Sequence, residues 1–263
     1  MKINFKEELL NLYSAVKSLN KKVVIILLSV AVLQTISWYL TSRQFFRSNF
    51  YYTIFDGDPN AGFYEFIYWF MGDFAVFFIC GALIIKFAFR EKIRDYGLNL
   101  NEKQLGFKVA LPAVLIMCPV IWIVSASPSF AESYPLLQMA RTDWGIFLLF
   151  QIFLLAFLFA WEFFWRGYML FGLKKEFGYY AVLIQMIPFV ILHNGKPFAE
   201  TSGAILGALA LGILAYRTGS FIYGVIIHYG VMIMIDFFSI MRYRTGNSGI
   251  GIDSFFQIVS KIF

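Results

Sequence analysis

The stretch from residue 145 to 173, GIFLLFQIFLLAFLFAWEFFWRGYMLFGL, carries two charges, Glu162 and Arg166, in an otherwise apolar run. About 20 apolar residues in a helix cross the hydrocarbon of a bilayer, and this run is longer than that. Only helices and closed barrels satisfy their backbone in lipid, and a continuous rather than alternating apolar run is helical. Working outward, six further runs of this kind cover 23–40, 62–89, 105–126, 179–193, 201–216 and 221–240. The expected architecture is an all-α, polytopic bundle of about seven transmembrane helices over residues 23–240. Amphipathic segments, 1–22 and 241–263, flank it.

Composition points the same way. Of 263 residues, 60% are hydrophobic and 14% charged, against about 45–50% and about 25% in a soluble domain. A chain this apolar lacks the polar surface of a soluble enzyme and the charge of a disordered one. Cys80 and Cys118 both lie inside apolar runs, where a disulfide framework or zinc finger is not expected and a small packing side chain is.

The net charge of +6 is a topological signal. With the N-terminus placed inside, the loops on that side hold twice as many Lys and Arg as the loops on the other, as the positive-inside rule requires. No nucleic-acid partner follows from it. Phe5, Leu9, Leu12, Tyr13, Val16 and Leu19 share one helical face of the leader, which is expected to lie on the cytoplasmic interface. Ile252, Phe255, Phe256, Val259 and Phe263 give the tail a similar stripe.

An ionisable side chain at a helix centre costs about 2.5–3.5 kcal/mol on insertion scales, so each needs a reason. Glu65, Asp73, Glu162, Arg166, His193, His228 and Asp236 lie within the runs, and the chain has no other histidine. At about 1.5 Å per residue, Glu162, His193 and His228 stand roughly 11–21 Å from the inner face, in one layer. Bland roles compete with a site. Glu162 and Arg166 form an i,i+4 pair that can neutralise itself. His193 precedes Asn194-Gly195 and can act as a helix C-terminal group, and His228 as a hydrogen-bonded packing residue. Glu200 opens the 201–216 run, where an acid favours a helix N-terminus. Asp236, two turns beyond His228, is placed to orient an imidazole or pair with Arg166. Gly203/Gly207 and Ala204/Ala208/Gly212 form small-residue stripes for close helix packing.

Trp161-Glu162-Phe163-Phe164-Trp165-Arg166-Gly167, then Phe189-Val190-Ile191-Leu192-His193, then His228 resemble the CPBP family, the CAAX-protease and bacteriocin-processing (Abi) family of intramembrane proteases. Its motifs read E-E-x-x-x-R, F-x-x-x-H and H-x-x-x-N/D, and the resemblance covers about 96–238. It implies a bacterial plasma-membrane endopeptidase acting on a hydrophobic or lipid-modified peptide, with His193 on the water and His228 at the oxyanion. Two positions depart from the pattern. Trp161 replaces the first glutamate, the family's proposed base, and Met232 replaces the Asn/Asp. Catalytic candidates are therefore Glu162, Arg166, His193 and His228, with Glu200 and Asp236 in support.

Glu162, as base or metal ligand, and the two histidines also make a His₂Glu set. That composition is one catalytic zinc uses, though without HExxH spacing. Rival readings are a catalytically degenerate member that binds a peptide or confers immunity, and a small proton-coupled transporter, against which the lack of an inverted repeat counts.

Overall fold

Backbone groups in hydrocarbon have no water to bond, so long apolar runs close their hydrogen bonds within helices. The computed structural model describes residues 4–196 and 198–262, and within them every regular element is a helix. Residues 1–3, Pro197 and Phe263 lie outside the described residues, and with them the start of the leader, the last residue of the tail stripe and the proline after Lys196.

The helices are α1 (Phe5–Ser18), α2 (Lys21–Tyr51), α3 (Ala61–Phe89), α4 (Lys103–Val124), α5 (Trp144–Phe177), α6 (Tyr180–Ile191), α7 (Phe198–Thr218), α8 (Ile222–Thr245) and α9 (Ile252–Ile262). Six of them, α2, α3, α4, α5, α7 and α8, are long and apolar enough to cross a membrane. The seventh expected run forms α6, whose 12 residues reach only about 18 Å at 1.5 Å per residue, short of a bilayer core. It ends in a turn that carries His193 part-way along the bundle.

Local signals fix the entry points. Asn20 caps α2 by accepting from the amides of Lys22 and Val23 at 3.0 and 3.3 Å, and Asp143 caps α5 through those of Gly145 and Ile146 at 2.7 and 3.1 Å. At Ser42 the backbone of α2 turns extended, and its hydroxyl recaps the chain at Phe45.

Helix α5 is the axis of the bundle, packed by α3, α6, α7 and α8, while α4 lies against α8. Lipid is as apolar as a side chain, so burial drives little here, and close contact between shapes does the holding. Aromatic side chains, 20% of the chain, supply it. Phe163, Phe164, Trp165 and Tyr168 are fully enclosed, with Phe77 on Phe164 at 4.4 Å and Phe78 on Phe163 at 4.9 Å. Leu115, Leu148, Ile152 and Leu206 point outward as a lipid-facing surface.

Polar contacts tie the helices together at both ends of the bundle. At one end Lys22 pairs with Glu91 at 2.7 Å, Asn20 reaches Glu176, and Asn99 reaches the Gly219 carbonyl. At the other, Arg43 and Arg47 share the buried Glu65, and Arg244 donates to the Arg141 carbonyl. Asp73, also buried, accepts from Thr41 and from Trp69 Nε1. Both α3 carboxylates thereby have structural partners at the α2–α3 contact.

The two terminal helices differ. In α1 no residue is buried, and its apolar stripe faces outward. In α9, by contrast, Ile258 is fully buried and Phe255 packs on Trp122. The cause is the tail's anchoring: Trp122 donates to the Ile250 carbonyl, and Arg242 to those of Asn247 and Gly249.

The small-residue stripes of α7 also divide. A Cβ on Gly203 or Gly207 meets nothing within 4 Å among the described residues, so that expected packing stripe is not one. Ala208 is fully buried, and a Cβ on Gly212 would fall 2.8 Å from Val182 and 2.9 Å from Gln185 of α6. Gly212→Ala is expected to lower the thermal midpoint of the detergent-purified protein. Gly207→Ala should leave it unchanged or raise it, since Ala is favoured over Gly in a helix by about 1 kcal/mol. Equal effects would show that both stripes pack.

Candidate active site

The regular turn of α5 widens into a π-helical segment from Phe163 to Met169, directly after Glu162. Similar segments occur at Ser37–Thr41, Arg47–Tyr51, Phe74–Cys80 and Ile84–Phe89, so the widening by itself does not mark the site. The Glu162 and Arg166 side chains are both completely enclosed. Glu162 Oε1 accepts from Arg166 Nη1 at 3.1 Å and from His228 Nδ1, on α8, at 2.8 Å. Its other oxygen lies against Gly224, where a Cβ would stand 2.9 Å away, so α8 approaches the carboxylate only because that residue has no side chain. The guanidinium of Arg166 sits over the ring of Phe189, 4.1 Å from its centroid, where a cation is attracted to the aromatic face.

The two imidazoles are held alike. An ionised carboxylate only accepts, so His228 Nδ1 carries the hydrogen and Nε2 is left with its lone pair. His193 Nδ1 lies 2.8 Å from the Phe189 carbonyl, also an acceptor, which fixes the same tautomer. Phe189 is the hub. Its ring contacts Arg166 and lies tilted against His193 with centroids 4.7 Å apart, and its carbonyl orients His193. His193 lies within electrostatic reach of His228, Glu200 and Lys196, and its own carbonyl accepts from Thr201.

Glu162, Arg166 and His228 are therefore joined by direct bonds, and His193 is joined to them through Phe189. Glu200 stands at the border. It pairs with Lys196 at 3.1 Å and accepts from the Tyr134 hydroxyl at 3.1 Å. Burial and the adjacent carboxylate push the Tyr134 phenol well up, so it stays a donor. Asp236 is not in the group. It accepts from the Leu136 amide and from Gln151 Nε2, both at 3.0 Å, and touches neither Arg166 nor an imidazole. Its work is to pin the connection between α4 and α5 into the bundle.

Tyr134 and Gly224 carry roles that the sequence did not single out. Gly224 stands one turn ahead of His228, a spacing that could have marked it. Trp161 and Met232 are apolar packers: Trp161 contacts Phe77, Phe157, Trp165 and Phe189, and Met232 joins the cluster around Phe150 and Leu154.

The donor set does not fit a metal cage. Among the described residues no three His, Cys, Asp or Glu side chains are gathered to hold an ion. Glu162 Oε1 already holds Arg166 and His228, and its second oxygen faces the backbone of α8.

Residues 142–234 match the family model described as Type II CAAX prenyl endopeptidase Rce1-like. The matched stretch runs from the start of α5 into α8 and contains Glu162, Arg166, His193 and His228. The resemblance to the CPBP family drawn from the three motifs holds over it. No curated protein and no solved structure matches the chain.

Arg166→Ala is expected to leave the enclosed Glu162 without its cation. Breaking a buried pair this way costs about 3–5 kcal/mol, which a denaturation curve in mixed micelles would measure. A loss below about 1 kcal/mol would mean that the pair is hydrated.

Proposed function

We propose that this integral membrane protein is an endopeptidase that hydrolyses a peptide bond in a membrane-associated or lipid-modified peptide. The family match supports the reaction class. The observation that carries the mechanism is the 2.8 Å bond from His228 Nδ1 to Glu162, which holds the imidazole as an acceptor at Nε2 on a side chain that is 20% exposed. His228 Nε2 takes a proton from water, and the hydroxide adds to the scissile carbonyl carbon. The tetrahedral oxyanion forms beside the resulting imidazolium. As the C–N bond breaks, Nε2–H returns its proton to the leaving amine. Glu162 acts through His228 as a positioning residue and stabilises the imidazolium. Arg166 keeps the carboxylate ionised between turnovers, and His193 Nε2 accepts from the same water.

This assignment differs from a direct carboxylate base. Glu162 is enclosed, and one of its oxygens already receives two donors. We take the N-terminus as inside, from the basic partition, with Tyr134 and Glu200 on the outer side of the site, and a bacterial plasma membrane from the family resemblance.

In proteoliposomes with a farnesylated peptide reporter, His228→Ala is expected to lower kcat by about 10²–10⁴-fold. Glu162→Gln should lower kcat with little change in KM, and Asp236→Asn should leave the chemical step intact. Incubation with a chelator should leave wild-type turnover unchanged. Full cleavage by His228→Ala would sink the assignment, and binding of the reporter without cleavage by the wild type would favour a peptide-binding role.

A further inference from the structure

At the end of the bundle remote from Tyr134 and Glu200, three pieces of chain leave a cavity of about 590 Å³ between them. Arg94 and Asn99 come from the link between α3 and α4, Phe171, Lys174 and Lys175 from the last turns of α5, and Gly219 from the turn into α8. Three cations face it against one acid, Asp95. At this end Lys22 pairs with Glu91. Arg94, Lys174 and Lys175 form no ion pair among the described residues.

The walls are also tied together. Asn99 Nδ2 donates to the carbonyls of Arg94 and Gly219, each at 3.0 Å, and so joins two sides of the cavity. Lys174 Nζ donates to the Tyr216 carbonyl at 3.0 Å and lies 4.0 Å from that ring's centroid, which fixes its position and leaves further N–H groups to donate. Unpaired cations drawn together on a bonded frame repel one another, and an anion between them removes that cost.

Depth names the anion. Lys174 and Lys175 lie within one turn of the end of the Trp144–Phe177 span, where hydrocarbon gives way to headgroups. Phe171, one turn deeper, lines the same cavity. Cations at the polar edge above an aromatic wall match a phosphate diester above its glycerol and chains. This is also the end of the bundle that holds the basic majority. Basic pockets between membrane helices recognise anionic headgroups by this chemistry. We propose that this cavity binds a phosphate group, presented by an anionic lipid headgroup, independently of the peptidase reading.

The test uses full-length protein in neutral detergent with phosphatidylglycerol, phosphatidylcholine or sodium phosphate added. Retained lipid is read by native mass spectrometry, and stability by thermal midpoint. Phosphatidylglycerol should be retained and raise the midpoint, while phosphatidylcholine and millimolar phosphate should not. Removing two cations in Arg94→Gln/Lys175→Gln should weaken phosphatidylglycerol retention by about thirty-fold, taking the typical contribution per basic residue near the surface. The charge-preserving pair Arg94→Lys/Lys175→Arg should keep it, which separates loss of charge from loss of fold. Lys6→Gln/Lys17→Gln, exposed on α1, should also keep it. Equal weakening by the α1 pair would overturn the site in favour of diffuse surface charge. Stabilisation by inorganic phosphate equal to that by phosphatidylglycerol would overturn the lipid assignment.

Discussion

An ionised carboxylate with no access to solvent, in the middle of a lipid-embedded bundle, is tolerable only where opposite charge and hydrogen-bond donors reach it together. Glu162 meets that condition from two helices. Arg166 lies one turn away on α5, and His228 comes from α8 to the same oxygen. Much of the surrounding architecture serves this contact. Gly224 lets α8 come near enough for His228 to arrive, and Phe189 supports the guanidinium from α6. The wide turn after Glu162 falls at the point where α5 must present an acid and a base to different neighbours.

Enclosure also explains the division of labour. Within a low-dielectric interior a carboxylate–imidazole bond is electrostatically strong, and it fixes the tautomer without any part of Glu162 meeting the substrate. Under the mechanism proposed above, the chemistry falls to His228, whose imidazole is partly exposed and bonded directly to the carboxylate. His193 is oriented by a neutral carbonyl rather than a carboxylate, and in the proposed mechanism it holds the water.

The spans, the sharing of charge between the two ends, and the direct bonding of Glu162 to Arg166 were legible because each rests on a local rule: length in hydrocarbon, loop charge and i,i+4 spacing. The convergence of Glu162 and His228 was legible as a common depth, since helices of known rise carry depth in their residue count. Asp236 was not, because its partner is the amide of Leu136, and no helical periodicity tells that the α4–α5 connection folds back into the bundle. The idle Gly203/Gly207 stripe shows the same limit. A sequence marks which face of α7 is smooth without marking which face α6 lies on. The tail repeats it, since an amphipathic face on α9 suits lipid and protein equally, and the distant Trp122 and Arg242 decide between them.

The two departures from the family's motifs take a physical meaning from this arrangement. Trp161 stands where the motif has an acid, and it packs on Phe189, Trp165, Phe157 and Phe77. An acid there would set a second carboxylate among these aromatic rings while Arg166 is already bonded to Glu162. With tryptophan, the single acid and single base balance, and the wall behind Phe189 becomes rigid and apolar. Met232 likewise adds packing in place of an amide. Under the mechanism proposed above, a chain with tryptophan at 161 has its base in His228 because Glu162 is turned onto that imidazole. The 2.8 Å contact between Glu162 and His228 is then what allows Trp161 to stand where it does.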